Sequence, residues 1–332
     1  MEKTSDGGYI VSCVVVPLES YEYIGVAKLD NNLEEVWVEE LTDFYGTPVD
    51  VLETQDGGYI ILVSGYESLL IKTNNSGDMQ WFKSLDMYQP LAVRQAGEAG
   101  FVVAGNIYYE DGYGPCLVKT DADGEKLSTV DLRVAGGEAV DMIETDDGNY
   151  ALAGNTYTSG GYDPDCTWLA KVQPDGELIW SRTYEGNDII VRMVQADDGD
   201  YAIAGTVAGG ELWNTTILRT DSDGDLLWKK TNSEDSLSIT GLCPAGGNSV
   251  AVMNCQAIPL YENRIAKINP SGSKTWLKRI GSWSSPIIGA DIKRADDATF
   301  VVVGTILEFS LFEETLTSDT YVFRLDESGN PM

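Results

Sequence analysis

The chain has 332 residues, 43% of them hydrophobic, with 22 basic and 53 acidic residues and a net charge of −31. Length and apolar content suffice for one large domain with a real core, while the acidity excludes nucleic-acid binding and electrostatic attachment to anionic lipid and suits a divalent cation, a cationic partner or plain solubility. Histidine is absent, which rules out Ser-His-Asp and Cys-His nucleophile systems and His-ligated metals and leaves a carboxylate, Lys, Tyr or thiolate as any general base.

From the N-terminus, Met1-Glu2-Lys3-Thr4-Ser5-Asp6-Gly7 shows no basic segment followed by an apolar one, so no signal peptide is visible. No stretch approaches 18 consecutive apolar residues, so no membrane insertion is expected. The first aromatic, Tyr9, follows a Ser-Asp-Gly-Gly turn, and the arrangement then recurs along the chain. An aromatic follows a Gly/Asp-rich turn at Tyr59, Phe101, Tyr150, Tyr201 and Phe300, with a degenerate copy at Ser249. The seven anchors lie 50, 42, 49, 51, 48 and 51 residues apart. After each anchor a basic residue ends an apolar run, and tryptophan follows nine residues later: Lys28/Trp37, Lys72/Trp81, Lys171/Trp180, Arg219/Trp228 and Lys267/Trp276. Lys119 has Ser128 in the tryptophan place, and Arg324 lies too near the end to have a partner.

Each half of the repeat reads as a hairpin. In the fourth copy Val140–Thr145 alternates with period two, Asp146-Asp147-Gly148-Asn149 supplies turn residues, and Tyr150–Gly154 returns as a strand. A small residue recurs at Gly105, Gly205 and Gly304, which predicts close approach of neighbouring sheets. In the second half, Asp or Asn seven before the tryptophan (Asp30, Asn74, Asp121, Asp221, Asn269) predicts an Asx turn. Glycine four before it (Gly77, Gly124, Gly176, Gly224, Gly272) predicts a left-handed backbone. The basic residue before this turn is expected to pair with a strand acid. Trp37, Trp81, Trp180, Trp228 and Trp276 are expected to be structural, packing between sheets.

Four strands per repeat of 40–50 residues describe a propeller blade. The expectation is an all-β, seven-bladed β-propeller over 1–332 as a single domain. Its last blade is incomplete at Pro331-Met332, and its first lacks most of the inner strand. That predicts a piece of a longer protein, or another chain pairing at the open blade edge.

The pattern Asp-Gly-Gly-Tyr-Ile, then Lys-x-(Asp/Asn)-x-x-Gly-x-x-x-Trp, resembles propeller repeats of many bacterial and archaeal proteins, often secreted or surface-attached. The resemblance implies a secreted or cell-surface location with a leader removed, the cytoplasm being the alternative. The strand layout is similar to WD40 blades without the Trp-Asp and Gly-His signatures. It also resembles quinoprotein blades, with Ala27, Ala170 and Ala266 at the alanine place. The acidic residue sits one position late (Asp30, Asp221) and the threonine is replaced, for example by Asp175. That departure implies quinoprotein-like repeats without the quinone.

The first strands' upper ends, nine residues before the anchors, hold Asp50, Ala92, Asp141, Arg192, Thr240 and Asp291. With the loops joining second to third strands, they make the candidate ligand face. Those loops carry Tyr21, Tyr23, Tyr108, Tyr109, Tyr113, Tyr157, Tyr162, Trp213 and Tyr261. Asp50, Asp141, Arg192 and Asp291 suit a hard cation or polar ligand, and the aromatics suit a glycan, a peptide or a protein. Asp221, Asp223 and Asp225 look like a calcium loop but lack the closing bidentate Glu. They are kept as the calcium candidates, with no other cofactor expected. Five cysteines form no CxxC pair and read as small buried hydrophobes. The expected function is a non-enzymatic binding or interaction scaffold. The alternatives are a structural module of a larger surface assembly and a carboxylate-dependent lyase or hydrolase or quinoprotein-like oxidoreductase.

Overall fold

The computed structural model describes residues 1–16, 21–97, 100–109, 112–132, 137–157, 166–186, 188–208, 213–232, 238–256, 262–280, 287–295, 299–310 and 315–332. Among these there is no α-helix. The first blade holds β1 (Glu2–Lys3), β2 (Tyr9–Val15), β3 (Tyr23–Leu29) and β4 (Glu35–Leu41). The second holds β5 (Thr47–Glu53), β6 (Tyr59–Ser64), β7 (Leu69–Thr73) and β8 (Met79–Ser84). The third holds β9 (Gln89–Gln95), β10 (Phe101–Tyr109), β11 (Gly112–Thr120) and β12 (Lys126–Asp131). The fourth runs β13 (Gly137–Glu144), β14 (Tyr150–Thr156), β15 (Cys166–Val172), β16 (Leu178–Glu185). The fifth runs β17 (Asp188–Gln195), β18 (Tyr201–Ala208), β19 (Trp213–Thr220), β20 (Leu226–Asn232). The sixth is β21 (Ser238–Pro244), β22 (Val250–Gln256), β23 (Glu262–Ile268), β24 (Lys274–Ile280), and the seventh β25 (Ile287–Arg294), β26 (Phe300–Ser310), β27 (Thr315–Leu325).

Each sheet is an antiparallel meander in chain order, four-stranded except the last, which has three. This is a seven-bladed β-propeller. A single bridge from Leu325 to Pro331 follows β27, and β1 contributes only two residues to the first blade. By internal contacts the chain forms two compact units, Met1–Leu152 with Lys171–Ile179, and Ala153–Ala170 with Trp180–Met332.

Burial explains the strand sequences. The second and third strands are covered on both faces and read as continuous apolar runs, as in Tyr59–Val63, all buried. The fourth strands are half-exposed, as in Met79–Ser84, so there only alternate residues pack inward. Apolar clusters lie between consecutive blades: Ile24, Leu41, Tyr59 and Ile71 between the first and second, and Leu70, Leu85, Phe101 and Val118 between the second and third.

The first hairpin turn carries a buried cation. The Lys28 ammonium donates to Asp6 (2.9 Å) and to the Leu29 carbonyl (3.0 Å), and Lys72 repeats this with Asp56 and the Thr73 carbonyl. Lys171 pairs with Asp147 at 2.7 Å. The basic residue thus pairs with a turn aspartate, not with the strand acid expected, because its stem runs along the paired strand and ends beneath the turn. The second glycine of the turn makes room: a Cβ on Gly8 would lie 2.5 Å from the Lys28 ammonium. The fifth blade solves the same problem differently. Asp200 replaces that glycine, and the buried Arg219 reaches Asp198 at 2.6 Å and Asp200 at 3.3 Å.

The Thr4 hydroxyl (2.6 Å), then Lys28 and the Gly8 amide, hold Asp6 down to about 2. Burial pushes Asp56 up, yet Thr54, Gly58 and Lys72 together bring it to about 2. Folded carboxyls below the unfolded value near 3.9 add stability above that value and lose it as pH falls towards 2. Both aspartates are largely exposed, so screening leaves about 1 kcal/mol each. We expect Tm to fall between pH 4 and 2 less steeply in Asp6→Asn/Asp56→Asn than in the parent. Equal slopes in thermal melts would remove these turns from the acid response.

The second turn is the expected Asx turn. Asp30 Oδ1 accepts from the Asn32 and Glu34 amides, and Asn74 and Asn269 do the same with an amide oxygen. Glycine here has positive φ, +76° at Gly124. It also presses on the preceding blade: a Cβ on Gly124 would meet the Trp81 ring at 2.5 Å, and one on Gly224 the Trp180 ring at 2.6 Å. The tryptophans pack edge-on against the next blade's anchor, with centroids 5.6 Å apart for Trp37–Tyr59, 6.2 Å for Trp81–Phe101, 6.1 Å for Trp180–Tyr201 and 6.2 Å for Trp276–Phe300.

Two expectations are corrected. Gly105 and Gly205 do not serve approach between sheets. A Cβ there would meet the first strand of its own blade, near the Gln89 and Ile189 carbonyls, where that strand bulges. The sixth anchor is Val250, not Ser249: Val250 pairs with Pro244 as Tyr201 pairs with Gln195. The turn there spans Ala245–Ser249 as the fifth spans Ala196–Asp200. The aromatic signal was missing, so the register slipped by one. The sixth blade's member of the upper-end set is consequently Gly241 rather than Thr240.

Candidate functional site

The upper-end residues sit just after the first-strand bulges at Asp50, Arg192 and Asp291. There the carboxylates cap the next amide: Asp50 accepts from Val51, Asp141 from Met142 and Asp291 from Ile292 at 2.8–3.0 Å. Such a cap satisfies a donor that the bulge takes out of the ladder. Within the first unit, Arg94 joins this layer. It donates to Asp50 at 2.8 Å, to the Val93 carbonyl at 2.7 Å and to the Met142 carbonyl at 3.3 Å, tying three first strands. Burial pushes its pKa down, but Asp50 and Glu2 more than restore it. Sequence reading missed Arg94; the signal was a cation two residues after Ala92, the one upper-end residue of that unit without a carboxylate. In the second unit Arg192 donates to the Val191 carbonyl at 3.0 Å.

In the proposed calcium loop, Asp221 Oδ1 accepts from the Asp223 and Asp225 amides, and Asp225 receives Arg182 at 3.1 Å. Because Asn74 and Asn269 make the same turn, the Asp221 side chain does a turn's work there. Among the described residues no three His, Cys, Asp or Glu side chains converge as a metal site.

The aromatics divide. Tyr108 is exposed and Tyr113 partly so, but both lie on long strands, β10 and β11, that extend into what was read as loop. Tyr23 starts β3 and donates to Glu40 at 2.8 Å. Tyr157 is half-buried. Trp213 begins β19, but its side chain and that of Tyr109 lie outside the described residues, as do Tyr162 and Tyr261.

The structure adds three tyrosines that sequence reading did not single out. Tyr45 and Tyr88 lie in loops joining a fourth strand to the next first strand, and Tyr66 lies between β6 and β7. In an antiparallel meander both loop types emerge on one face. The signal was therefore present in the parity of the strands: Asp43-Phe44-Tyr45-Gly46 and Asp86-Met87-Tyr88. Tyr66 is fully exposed, and Tyr21, Tyr45, Tyr88 and Tyr108 are 83%, 58%, 55% and 65% exposed. Tyr21 meets Tyr45 edge-on at 6.4 Å, and Tyr88 tilts against Tyr108 at 4.6 Å.

These rings border two open hollows. One, of about 530 Å³, is lined by Tyr66, Glu67, Asp86, Tyr88, Tyr108 and Lys126 among others. The second, of about 270 Å³, is lined by Asp43, Phe44, Tyr45, Tyr66 and Glu67 among others. Tyr66 and Glu67 therefore form a ridge shared by both. Asp86 holds Lys126 at 3.1 Å. Burial and Glu138, which accepts from the hydroxyl at 3.0 Å, push Tyr113 to about 12; a hydrogen bond with Tyr88 raises Tyr108. These phenols stay neutral donors at ordinary pH.

No family model and no curated protein matches the chain. Among solved structures it is similar to a Bacteroides caccae protein of unknown function, with TM-score 0.47 and 15% identity over 81% of this chain and 93% of that one. It is also similar to a eukaryotic initiation factor, with TM-score 0.40 and 10% identity over 98% and 95%. The fold assignment rests on the seven sheets themselves, and these two likenesses carry no functional argument.

Proposed function

We propose that the chain is a non-enzymatic binding scaffold whose tyrosine ridge takes a protein segment bearing basic residues. The carrying observation is Tyr66, fully exposed between two hollows and flanked by Glu67, Tyr45 and Tyr88. Exposed aromatic faces beside carboxylates suit guanidinium and ammonium groups, and a net charge of −31 favours encounter with a cationic partner. Tyrosine is a rigid anchor that loses little entropy on binding. The absence of histidine supports a role without chemistry of its own, as does the buried Cys116 thiol, pushed up to about 12 by burial.

The test is fluorescence anisotropy with labelled peptides in which arginine and lysine alternate with glycine and serine. Binding is expected to weaken roughly tenfold or more in Tyr66→Ala and Tyr88→Ala and to fall as salt rises. Peptides that bind neither the parent nor the variants would sink the reading. Salt-insensitive binding of neutral oligosaccharides on the same ridge would replace it with a glycan.

A further inference from the structure

The seam between the fifth and sixth blades differs from the first throughout its packed layer, and its anchor, Val250, is the one anchor of the seven that is not aromatic. Strand registers make Thr215, Asn232, Val250, Asn254 and Ala266 the counterparts of Ile24, Leu41, Tyr59, Val63 and Ile71 at the first seam. All five of those are large, buried and clustered there. At the fifth seam each is replaced by a smaller or more polar residue; Thr167, Gly205 and Ala170 show that three of these changes occur at other seams too, so the ones peculiar to the fifth are Asn232 and Val250. The aromatic anchor itself is lost, so Trp228 has no ring of the next blade against it among the described residues. A cavity of about 230 Å³ opens beside Trp228, with Thr215, Val252, Asn254 and Ala266 in its wall and Lys230 and Lys274 at its edge. Asn254 donates to the Thr215 hydroxyl at 2.8 Å, so the two polar replacements satisfy each other at the back of the cavity.

The charge pattern departs at the same place. The basic residue two past the tryptophan meets a carboxylate of the next blade's turn at two other seams, Lys83 with Glu125 at 2.5 Å and Arg182 with Asp225 at 3.1 Å, while Lys278 meets the neutral Asn330 at a seam that keeps its ring. At the fifth seam the counterpart of those acids is Ser273. Lys230 instead donates to the Ser271 carbonyl at 2.6 Å and lies 5.6 Å over the Trp228 ring. In a chain of net charge −31, a ring and an anion have both been removed from one seam.

We infer that this cavity is a binding site for a small monocyclic aromatic carboxylate. Its ring occupies the space that Tyr59 or Tyr201 fills elsewhere, beside Trp228, and its carboxylate takes the place of the missing turn acid before Lys230. The volume suffices, since dry apolar cavities of about 150 Å³ accept benzene. An aromatic ring against a tryptophan edge adds favourable contact beyond its burial. The site shares no residue with the tyrosine ridge and does not depend on it.

The probe is 4-fluorophenylacetate followed by ¹⁹F NMR on the full chain, with 4-fluorobenzyl alcohol as the neutral control. Saturable binding of the acid is expected, with the alcohol roughly tenfold or more weaker because it forgoes a charge-assisted bond. Val250→Tyr rebuilds the missing ring and should abolish binding while raising Tm. Ala266→Ile fills the cavity from the next strand and reads the same outcome if the first variant does not fold. Lys230→Gln should bring the acid down to the alcohol's affinity. No saturable binding in the parent, or binding unchanged in the folded filling variants, would overturn the site. Equal affinities for acid and alcohol would overturn its preference for an anion.

Discussion

Replacing Arg219 with methionine is expected to cost about 3–5 kcal/mol in unfolding free energy, more than the same change at any lysine of the other first-hairpin turns. Arg219 is 2% exposed, and its guanidinium serves Asp198, Asp200 and the Asn248 carbonyl together. Removing it leaves two carboxylates facing one another in a half-buried turn. Burial, and then the charge of Asp198, already hold Asp200 above its usual value. At Lys72 the geometry differs. The lysine is buried but Asp56 is 61% exposed, so Lys72→Met releases an acid that water can solvate, at a cost of about 1 kcal/mol. Equilibrium urea unfolding measures both. Adding Asp198→Asn and Asp200→Asn to Arg219→Met should recover part of the loss, because the orphaned charges go with the cation. A loss below 1 kcal/mol for Arg219→Met, or no recovery in the triple variant, would refute this account of the turn.

The same turn shows why the fold was legible and its details were not. Asp-Gly-Gly-Tyr and Lys…Trp recur in register because every blade faces the same packing problem, and recurrence reveals architecture without any side-chain geometry. What the second glycine does is a contact with a lysine 20 residues away at Gly8 and 14 away at Gly58, which spacing alone does not show. Its role appears only with Lys28 and Lys72 in place. The degenerate sixth copy failed for a related reason. Without an aromatic at Val250 the anchor slid to Ser249, and the strand ladder was needed to correct it. The candidate site was partly legible. Tyr108 and the parity of the loops pointed to the face that carries the exposed tyrosines. That Asp50, Asp141 and Asp291 each cap the next amide was not legible, because a carboxylate near a strand end looks the same in sequence whether it faces solvent or caps a bulge. Tyr88 escaped because loops between blades vary in length and carry no motif, and Tyr66 because its own second-to-third-strand loop, only four residues long, holds a single aromatic.

Trp180→Ala and Trp228→Ala are expected to differ, although the two residues occupy the same place in the repeat. Trp180 packs on Tyr201 at 6.1 Å, carries Arg182 over its ring at 5.6 Å and lies under Gly224. Truncating it opens a void in a filled seam, at about 3–5 kcal/mol. Trp228 faces a seam already hollow by about 230 Å³ and keeps a hydrogen bond from its indole to the Pro270 carbonyl at 2.7 Å. Its loss removes fewer contacts and should cost about 1–2 kcal/mol. Glycine substitution separates packing from backbone strain. Gly224→Ala meets both a φ of +82° and the Trp180 ring, so it should cost well over the roughly 1 kcal/mol of a left-handed alanine. In the Trp180→Ala background the ring is gone and only the backbone cost remains. The two changes should therefore be strongly non-additive. At the fifth seam a Cβ on Gly272 would meet the flexible stem of Lys230 rather than an indole. Gly272→Ala should accordingly show little coupling to Trp228→Ala. If thermal and urea unfolding gave equal losses for the two tryptophans, and equal couplings at the two glycines, the fifth seam would be packed like the rest, and neither the missing ring at Val250 nor the cavity beside Trp228 would have an energetic consequence.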